Sequence, residues 1–316
     1  MNSFPLVSII TPVYNQANYI SETIESVISQ HYPNMEYLVI NDGSTDNTEE
    51  LIKKYSDRIL WETRTNMGEN ATVNYGVNKA KGEIIGIVNS DDPLLPGAIT
   101  EIVKMFVEFP DVSVIYPDWK MIDRDGNQIV VMETPDYSYI NMLRWHHCLP
   151  GPGTMFRKDF FQKLNGRKLD YKFVADFDFW LRGGLFAKFA RIPKLLATHR
   201  WYAEGTSSAF RGIQMAEEHV RLIDNIYSLP NLPIEVIKIK KEAYSSAYFT
   251  AGICCGENLA LKKEFYLKAI KIYPYKYVTE YLRRSLEMLK VFSPRIYLAV
   301  KLIIKGIKSI KALFSF

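Results

Sequence analysis

The sequence predicts an α/β fold with a mixed, mainly parallel β-sheet flanked by helices. Short apolar, β-prone segments alternate with segments of helical periodicity through the first hundred of the 316 residues. Alternation of this kind builds βαβ units, whose strands run parallel. After about residue 210 the strand signals stop and only helical periodicity remains. We therefore expect an α/β domain followed by an α-helical extension over 210–316.

The predicted elements follow one another closely along the chain. Strands are predicted at 6–10, 37–40, 59–62, 84–88, 112–116 and 194–197. Helices are predicted at about 20–31, 46–55, 70–79, 96–109 and 173–182, and then at 212–228, 234–256, 258–272 and 275–290. Between them, the residues at 123–127 (DRDGN) favour a hairpin turn.

The composition is that of a globular protein, with 47% hydrophobic and 23% charged residues. The three cysteines form neither a disulfide framework nor a zinc spacing, which indicates a reducing, cytosolic setting. The chain begins a strand almost at once, so we expect no signal peptide. No run of about 18 uncharged apolar residues predicts a transmembrane helix. The net charge of +4 is mild and concentrated near the C-terminus, so nucleic-acid binding is not expected.

An acidic pair follows the predicted strand at 84–88 directly, in the order Asn89, Ser90, Asp91 and Asp92. Adjacent carboxylates repel each other, and a cation or solvent must relieve that repulsion. In isolation such a pair is more often a solvated turn. In an open α/β sheet, however, ligands bind at the carboxyl ends of the strands, where one or two carboxylates and a substrate phosphate can hold a divalent metal ion.

Two further polar loops, at 11–15 and 41–46, follow strands at the same predicted edge. Asp42 suits recognition of a nucleobase or ribose, although its Asp-Gly dipeptide alone favours a turn. Neither a glycine-rich dinucleotide fingerprint nor a P-loop motif is present. A nucleotide site of another kind is therefore expected.

Three stretches together resemble the signature blocks of family 2 glycosyltransferases, in both order and spacing. They are residues 7–15 (VSIITPVYN), 39–48 (VINDGSTDNT) and 81–92 (KGEIIGIVNSDD). The family contains inverting enzymes that use nucleotide-sugar donors and have the GT-A fold. The resemblance covers roughly residues 5–205, and it implies a GT-A domain over 1–209 with a nucleotide-binding half at about 1–118 and an acceptor half at about 119–209.

The resemblance also implies a donor site and a metal site. The donor-site residues would be Thr11, Pro12, Tyr14, Asp42, Asn70, Asn89 and Ser90. Asp42 would bind the base, usually uracil in this family. Asp91 and Asp92 would hold Mn²⁺ or Mg²⁺, with Asp91 as first choice, while Asn89 replaces the first acid of the family's Asp-x-Asp motif. Many relatives carry an arginine near the diphosphate where this chain has Val73, so phosphate neutralisation would depend more heavily on the metal.

The second acidic motif lies at 173–182 and resembles the acceptor-side motif of the family. Asp176 matches the expected catalytic base, while Ala175 stands where relatives have glutamate. Without that context, Asp176 is more simply a carboxylate near the positive end of a helix dipole. Asp178 is the rival base, and Arg182 could pair with either carboxylate.

Other motifs refine this reading. The loop at 145–153 carries two histidines, and an acceptor-lining role is favoured over a metal site because further ligands at suitable spacing are missing. Processive relatives carry Gln-x-x-Arg-Trp, but Ala197 stands at the glutamine position before Arg200-Trp201, so single addition is favoured. The roles of His199 and Tyr202 stay open, and the loop at 204–208 is a candidate lid.

The last stretch, 294–316, is predicted to be a basic amphipathic helix with lysines at 301, 305, 308 and 311. Such a helix can lie in a membrane interface, although docking against protein is the alternative. A peripheral position on the inner face of the cell membrane would suit a lipid-linked acceptor.

These patterns predict an inverting, metal-dependent glycosyltransferase that moves one sugar from a nucleotide-diphosphate sugar, expected to be UDP-linked, to an acceptor hydroxyl. The expected setting is polysaccharide or glycolipid synthesis. One alternative is a catalytically decayed, membrane-associated scaffold that retains the fold. The other is a sugar-1-phosphate nucleotidyltransferase, which should show a glycine-rich, basic loop at 11–15 and does not.

Overall fold

The computed structural model describes residues 4–202 and 212–274. The chain divides into two compact units, Met1–Met142 with His147–Ala209 and Leu143–His146 with Phe210–Phe316. The strands are β1 (Val7–Val13), β2 (Met35–Asn41), β3 (Leu60–Thr63), β4 (Ile84–Ile87), β5 (Val112–Ile122), β6 (Gln128–Met132), β7 (Met155–Arg157) and β8 (Lys188–Arg200). The helices up to residue 183 are α1 (Ile20–Ile28), α2 (Thr48–Lys53), α3 (Glu69–Lys79), α4 (Ala98–Glu108), α5 (Tyr139–Trp145), α6 (Lys158–Lys163) and α7 (Ala175–Gly183).

The strands of the first unit form one eight-stranded sheet in the order β3-β2-β1-β4-β7-β5-β6, with β8 paired to β5. The first four strands in this order are parallel, and β5 and β8 are parallel as well. β7 is antiparallel to both β4 and β5. All seven residues of β1 are buried, as expected for a strand covered on both faces. The predicted α/β class with a mixed, mainly parallel sheet is therefore confirmed.

Helices pack on the sheet through the apolar faces that the sequence predicted. In α1, Ile20, Ile24 and Val27 are fully buried. Helix α3 approaches the sheet most closely at Gly76, where a Cβ atom would lie 2.6 Å from Cγ2 of Ile10. Burial of these faces against the strands removes apolar surface from water, which is the main force that holds the layers together.

Four elements are absent from the predicted strands and helices, namely β6, β7, α5 and α6, although β6 follows the hairpin turn predicted at 123–127. β7 has only three residues, which is too short to show a periodicity. The strands β5 and β8 are also longer than predicted, because each continues past its apolar segment into a polar one at the edge of the sheet.

The described part of the second unit is helical, with α8 (Ile213–Tyr227), α9 (Ile234–Lys238), α10 (Lys240–Cys254) and α11 (Leu259–Ile272). A helix predicted at 234–256 is divided in two at Ile239, whose backbone angles are φ −94° and ψ 9°. Ala216, Ala251 and Phe265 belong to the small core of this unit. Within 4–202 and 212–274, no helix has both the length and the apolar character needed to cross a membrane. The helices predicted at 275–290 and 294–316, and the candidate lid at 204–208, lie outside the described residues.

Candidate active site at the carboxyl edge of the sheet

The acidic pair lies in the loop after β4, and its two carboxylates have different surroundings. Asp92 is buried, and its Oδ1 accepts a hydrogen bond of 2.7 Å from the backbone N–H of Arg200. Its Oδ2 accepts a bond of 3.0 Å from Nδ2 of Asn89. Asp91 is half-buried, and its Oδ2 accepts a bond of 2.8 Å from the hydroxyl of Tyr202. Asp92 is therefore tied into the protein on both oxygens, and Asp91 is the more available ligand.

The Asp92 carboxylate also raises the cost of ionising Asp91. Burial, together with the charge of Asp92, raises the pKa of Asp91 to about 6. The hydroxyl of Tyr202 and the ring of His199 oppose this rise. Burial disfavours the charged form of His199, but the neighbouring Asp92 and Asp91 carboxylates outweigh it and raise the histidine pKa. The loop thus concentrates negative charge that a cation would relieve.

These residues fit a hard divalent ion that completes its coordination with substrate oxygens. Asp91 and Asp92 supply oxygen donors, which Mg²⁺ and Mn²⁺ prefer. Among the residues that the structure describes, no group of three or more His, Cys, Asp and Glu side chains is arranged to hold a metal ion. A site with two adjacent carboxylates suits an ion that keeps open positions for water and phosphate.

Arg200 organises the edge of the sheet around this loop. Its side chain is 2% exposed, and its Nε donates to the carbonyl oxygen of Asp91 at 3.1 Å. Nη1 donates to the carbonyl oxygens of Asp123 and Arg124 at 3.1 and 3.0 Å, and Nη2 donates to Glu22 at 2.5 Å. One buried guanidinium therefore joins the loop after β4, which is the candidate metal loop, to the β5–β6 hairpin and α1.

The residues predicted to border the nucleoside lie at the ends of β1 and β2. Thr11 and Pro12 are buried within β1, and the hydroxyl of Thr11 lies 3.0 Å from that of Tyr37. Tyr14 is 48% exposed beyond the end of the strand. Of the three residues predicted to border the nucleoside, Tyr14 alone presents a substantially exposed side chain.

Asp42, which is predicted to bind the base, has a structural role in this protein. Its carboxylate oxygens accept hydrogen bonds of 3.0 and 2.8 Å from the backbone N–H groups of Met67 and Gly68. Asp42 is 3% exposed, so these bonds fix the loop that leads into α3. In the loop after β4, Asn89 is exposed, whereas Ser90 is buried and its carbonyl oxygen accepts a bond from Thr23.

The two carboxylates of the second acidic motif, Asp176 and Asp178, have different surroundings. Asp178 is fully buried, with Nε of Arg182 at 2.6 Å and Nζ of Lys168 at 3.5 Å. Arg182 in turn donates to the carbonyl oxygens of Leu164 and Gly166. Asp178 therefore holds the loop before α7 in place and does not face solvent.

Asp176 is exposed in the first turn of α7. Its Oδ1 accepts a bond of 2.7 Å from the backbone N–H of Phe177, which leaves Oδ2 available to a substrate. This contrast favours Asp176 over Asp178 for the role of base.

Glu69, in the first turn of α3, connects the two acidic sites electrostatically. Its side chain is 57% exposed, and partial desolvation by the surrounding protein atoms raises its pKa. The carboxylates of Asp176 and Asp92 both add to this rise, while Arg167 opposes it. Burial raises the pKa of the Cys148 thiol well above the usual value. The negative charge of Asp176 adds to this rise, and the positive charge of Arg167 opposes it. These charged groups therefore lie near one another at the carboxyl edge of the sheet, and the region that carries Glu69, Asp91, Asp92, Asp176 and Arg167 is called the cleft below.

Several members of this cleft are not apparent from local sequence. Glu22 and Arg167 reach the site from α1 and from the loop after α6, far along the chain from the residues that they contact. The position of Arg200 beside Trp201 resembles part of a family motif, and this was the available signal for its importance. In the loop at 145–153, for which an acceptor-lining role stays a prediction, Nε2 of His146 lies 2.9 Å from Nδ1 of His219, within the second unit. Burial lowers the pKa of His219 to about 4.

Comparison with known proteins identifies the family and the fold. The family model "Glycosyl transferase family 2" matches residues 8–188. An uncharacterized glycosyltransferase of Rickettsia typhi is 32% identical over 203 residues, and the match spans 62% of this chain and 62% of that relative's own length.

Solved structures share the fold. The Staphylococcus aureus protein TarS, in complex with UDP-GlcNAc, superposes with a TM-score of 0.63 at 19% identity, covering 88% of this chain and 93% of that chain. The mannosyltransferase PcManGT of Pyrobaculum calidifontis, in complex with GDP-Man and Mn²⁺, superposes with a TM-score of 0.59 at 16% identity, covering 98% of this chain and 87% of that chain. The fold is the GT-A fold that the sequence predicted, and the chain belongs to glycosyl transferase family 2.

Proposed function

We propose that the protein is an inverting glycosyltransferase that moves a single sugar from a nucleotide-diphosphate sugar to an acceptor hydroxyl. The support for this proposal is the match to glycosyl transferase family 2, together with the position of the acidic pair after β4 at the carboxyl end of parallel strands. Asp176, exposed in the first turn of α7, is the proposed base. The donor is proposed to be UDP-linked, with a GDP-sugar as the next candidate, since the structural neighbours were solved with UDP-GlcNAc and GDP-Man.

In this mechanism Asp176 accepts the proton of the acceptor hydroxyl as its oxygen attacks the anomeric carbon. The bond between that carbon and the diphosphate oxygen breaks, and the nucleoside diphosphate leaves with the bonding electron pair. A single displacement from the opposite face inverts the anomeric centre, by the same logic as single-displacement glycosidases.

Asp91, with Asp92 beside it, would hold Mn²⁺ or Mg²⁺, and one structural neighbour was solved with Mn²⁺. When bound, the ion supplies positive charge to the diphosphate as negative charge develops there. The chain's own contribution is to keep the Asp91 carboxylate in place through Tyr202 and to fix the loop through Arg200.

The experiment is release of UDP from a panel of UDP-sugars, with and without Mn²⁺, using wild type, Asp91→Ala and Asp176→Asn. We expect slow, metal-dependent hydrolysis of one or two donors, which Asp91→Ala abolishes. Asp176→Asn should strongly reduce transfer once an acceptor is present. Exposed Asp57→Asn, outside the cleft, serves as the matched control.

Absence of release, together with absence of metal-dependent binding of UDP, would contradict the UDP assignment. GDP- and dTDP-sugars are then tested in the same assay. Failure with all three donor classes would favour the catalytically decayed scaffold.

The acceptor is proposed to be a saccharide or a lipid-linked molecule at an anionic membrane surface. The support is the sequence of 294–316, in which four lysines lie along an apolar helical pattern without any acidic residue. Sedimentation with vesicles that contain anionic lipid tests this point. Replacement of the lysines at 301, 305, 308 and 311 by glutamine should release the protein, and unchanged sedimentation would contradict membrane association.

A further inference from the structure

Arg167 is a cation whose side chain is largely buried and lies next to the carboxylate of Glu69. It lies in the loop between α6 and α7, and its backbone is fixed to Asn74 of α3 by two hydrogen bonds. The N–H of Arg167 donates to Oδ1 of Asn74 at 2.9 Å, and its carbonyl oxygen accepts from Nδ2 at 2.8 Å. The side chain then runs along α3 towards its first turn, where Nη1 lies 3.5 Å from both Glu69 Oε1 and Asn70 Oδ1.

The loop is shaped for this close approach. Gly166 has φ +75°, and a Cβ atom there would lie 2.7 Å from Oδ1 of Asn74. A side chain at this position would therefore meet both backbone strain and a steric clash. The carbonyl oxygen of Gly166 also accepts a bond of 3.0 Å from Arg182, so the loop is held from both sides.

The guanidinium of Arg167 is left with unused hydrogen-bonding capacity. Its side chain is only 10% exposed, and among the residues that the structure describes its Nε has no hydrogen-bond partner. Its Nη1 contacts are both at 3.5 Å, the outer limit of a hydrogen bond. Arg182 of α7 differs, since its Nε, Nη1 and Nη2 all have partners between 2.6 and 3.0 Å. A buried donor without a partner is costly, which indicates that a ligand completes the bonding of Arg167.

The position of this cation suits an oxyanion. It lies at the first turn of α3, the positive end of that helix dipole, directly after the Met67 and Gly68 amides that hold Asp42. Glu69 is its present counter-ion, at a distance and exposure that make the pair weak. A ligand with phosphate oxygens could therefore replace Glu69 as the partner of the guanidinium and form shorter, bidentate hydrogen bonds with it.

We propose that Arg167 binds the diphosphate of the nucleotide-sugar donor and stabilises the nucleoside diphosphate as it leaves. This inference rests on the proposed function, because it assigns a residue to the same donor site. The released nucleoside diphosphate carries one more negative charge than the nucleotide sugar. A fixed cation in a cleft that otherwise carries Glu69, Asp91, Asp92 and Asp176 favours that added charge.

The test is calorimetric binding of UDP and of uridine, in the presence of Mn²⁺, to the full-length protein and its variants, with uridine measured by displacement. Arg167→Gln should weaken UDP binding by about tenfold or more, as expected for a charge-assisted bond to phosphate, and leave uridine binding unchanged. Arg167→Lys should weaken UDP binding less than Arg167→Gln does, because lysine keeps the positive charge although it lacks the planar guanidinium group. Glu69→Gln should tighten UDP binding about two- to fivefold, since it removes the competing carboxylate.

Lys163→Gln is the matched control. It removes the same charge from α6, where Lys163 pairs with exposed Asp159, and it should leave both affinities unchanged. If wild type binds none of UDP, GDP and dTDP with Mn²⁺, the proposed function itself fails.

If wild type binds UDP and Arg167→Gln binds it equally well, only the assignment of Arg167 to the donor is overturned. A loss of turnover confined to anionic acceptors would then identify the acceptor as the source of the oxyanion. Equal weakening of UDP binding by Glu69→Gln and Arg167→Gln would also overturn the proposal, because it would show that the pair acts as a structural unit.

Discussion

Replacement of Asp91 by asparagine should stabilise the metal-free protein while it removes metal-dependent activity. The pKa of Asp91 in the folded protein is about 6, because burial and the Asp92 carboxylate oppose its ionisation. Asparagine has nearly the same shape, carries no charge and can still accept a bond from Tyr202. The ionised carboxylate therefore lowers the stability of the metal-free folded protein, a cost that the proposed metal-binding role of Asp91 explains.

The magnitude follows from the two pKa values. An unfolded aspartate has a pKa of about 3.9, and each pH unit between the folded and unfolded values corresponds to about 1.4 kcal/mol. Ionising Asp91 therefore costs the folded protein about 3 kcal/mol at pH 7. The folded state binds the proton more tightly, so this cost appears as the pH rises from about 4 through about 6. The advantage of Asp91→Asn should be about 0.5 kcal/mol at pH 4, about 1.5 at pH 5 and about 3 at pH 7.

Urea denaturation in EDTA, followed by tryptophan fluorescence, measures this difference. Of the five tryptophans, Trp61, Trp119, Trp180 and Trp201 lie in the first unit, so the signal reports mainly on the fold that carries Asp91. Adding Mn²⁺ should stabilise wild type by about 2.7 kcal/mol at a hundred times its dissociation constant, and it should not stabilise the variant.

The control is Asp57→Asn, an exposed change that should shift stability by less than about 0.5 kcal/mol. The reasoning is refuted if Asp91→Asn is no more stable than wild type at pH 7 in EDTA, or if its advantage does not depend on pH.

Two further predictions separate structural from functional roles in the cleft. Asp178→Asn should lower the free energy of unfolding by about 3 kcal/mol, because it leaves Arg182 without its carboxylate. Asp176→Asn should change it by less than about 0.5 kcal/mol, since Asp176 is exposed; equal losses in urea denaturation of the two variants would contradict this assignment. Tyr202→Phe should raise the pKa of Asp91 further, because the lost hydroxyl favours the ionised form. Its apparent Mn²⁺ affinity, measured by calorimetry, should therefore fall more near pH 6 than near pH 8, and an equal fall at both would count against that role.

Much of the sheet could be predicted from local patterns, because each of β1, β2 and β4 is a short apolar run that ends in polar residues. The same patterns placed the acidic pair correctly after β4. β7 could not be found in this way, since its three residues are antiparallel to β4 and depend on strand pairing for their conformation.

The cleft was less predictable than the sheet, since its side chains meet across long stretches of chain. Arg167 contacts Asn74, which is 93 positions away, and Arg200 contacts Glu22, which is 178 positions away. Neither pairing leaves a local signal. The difference between Asp176 and Asp178 was also hidden, because it depends on the loop at 164–168 that folds over one face of α7.

The hydrogen bonds from Arg200 to the β5–β6 hairpin determine which sequence changes that hairpin can tolerate. The guanidinium binds this turn through the carbonyl oxygens of Asp123 and Arg124, and every amino acid carries such an oxygen. Substitutions in the turn can therefore change the side chains that the hairpin exposes. The hydrogen bonds through which Arg200 joins the hairpin to the loop after β4 are kept. Deleting a residue would move both oxygens and break the link. We therefore expect the turn of the β5–β6 hairpin to vary by substitution at constant length, which changes its exposed side chains and keeps its contact with Arg200.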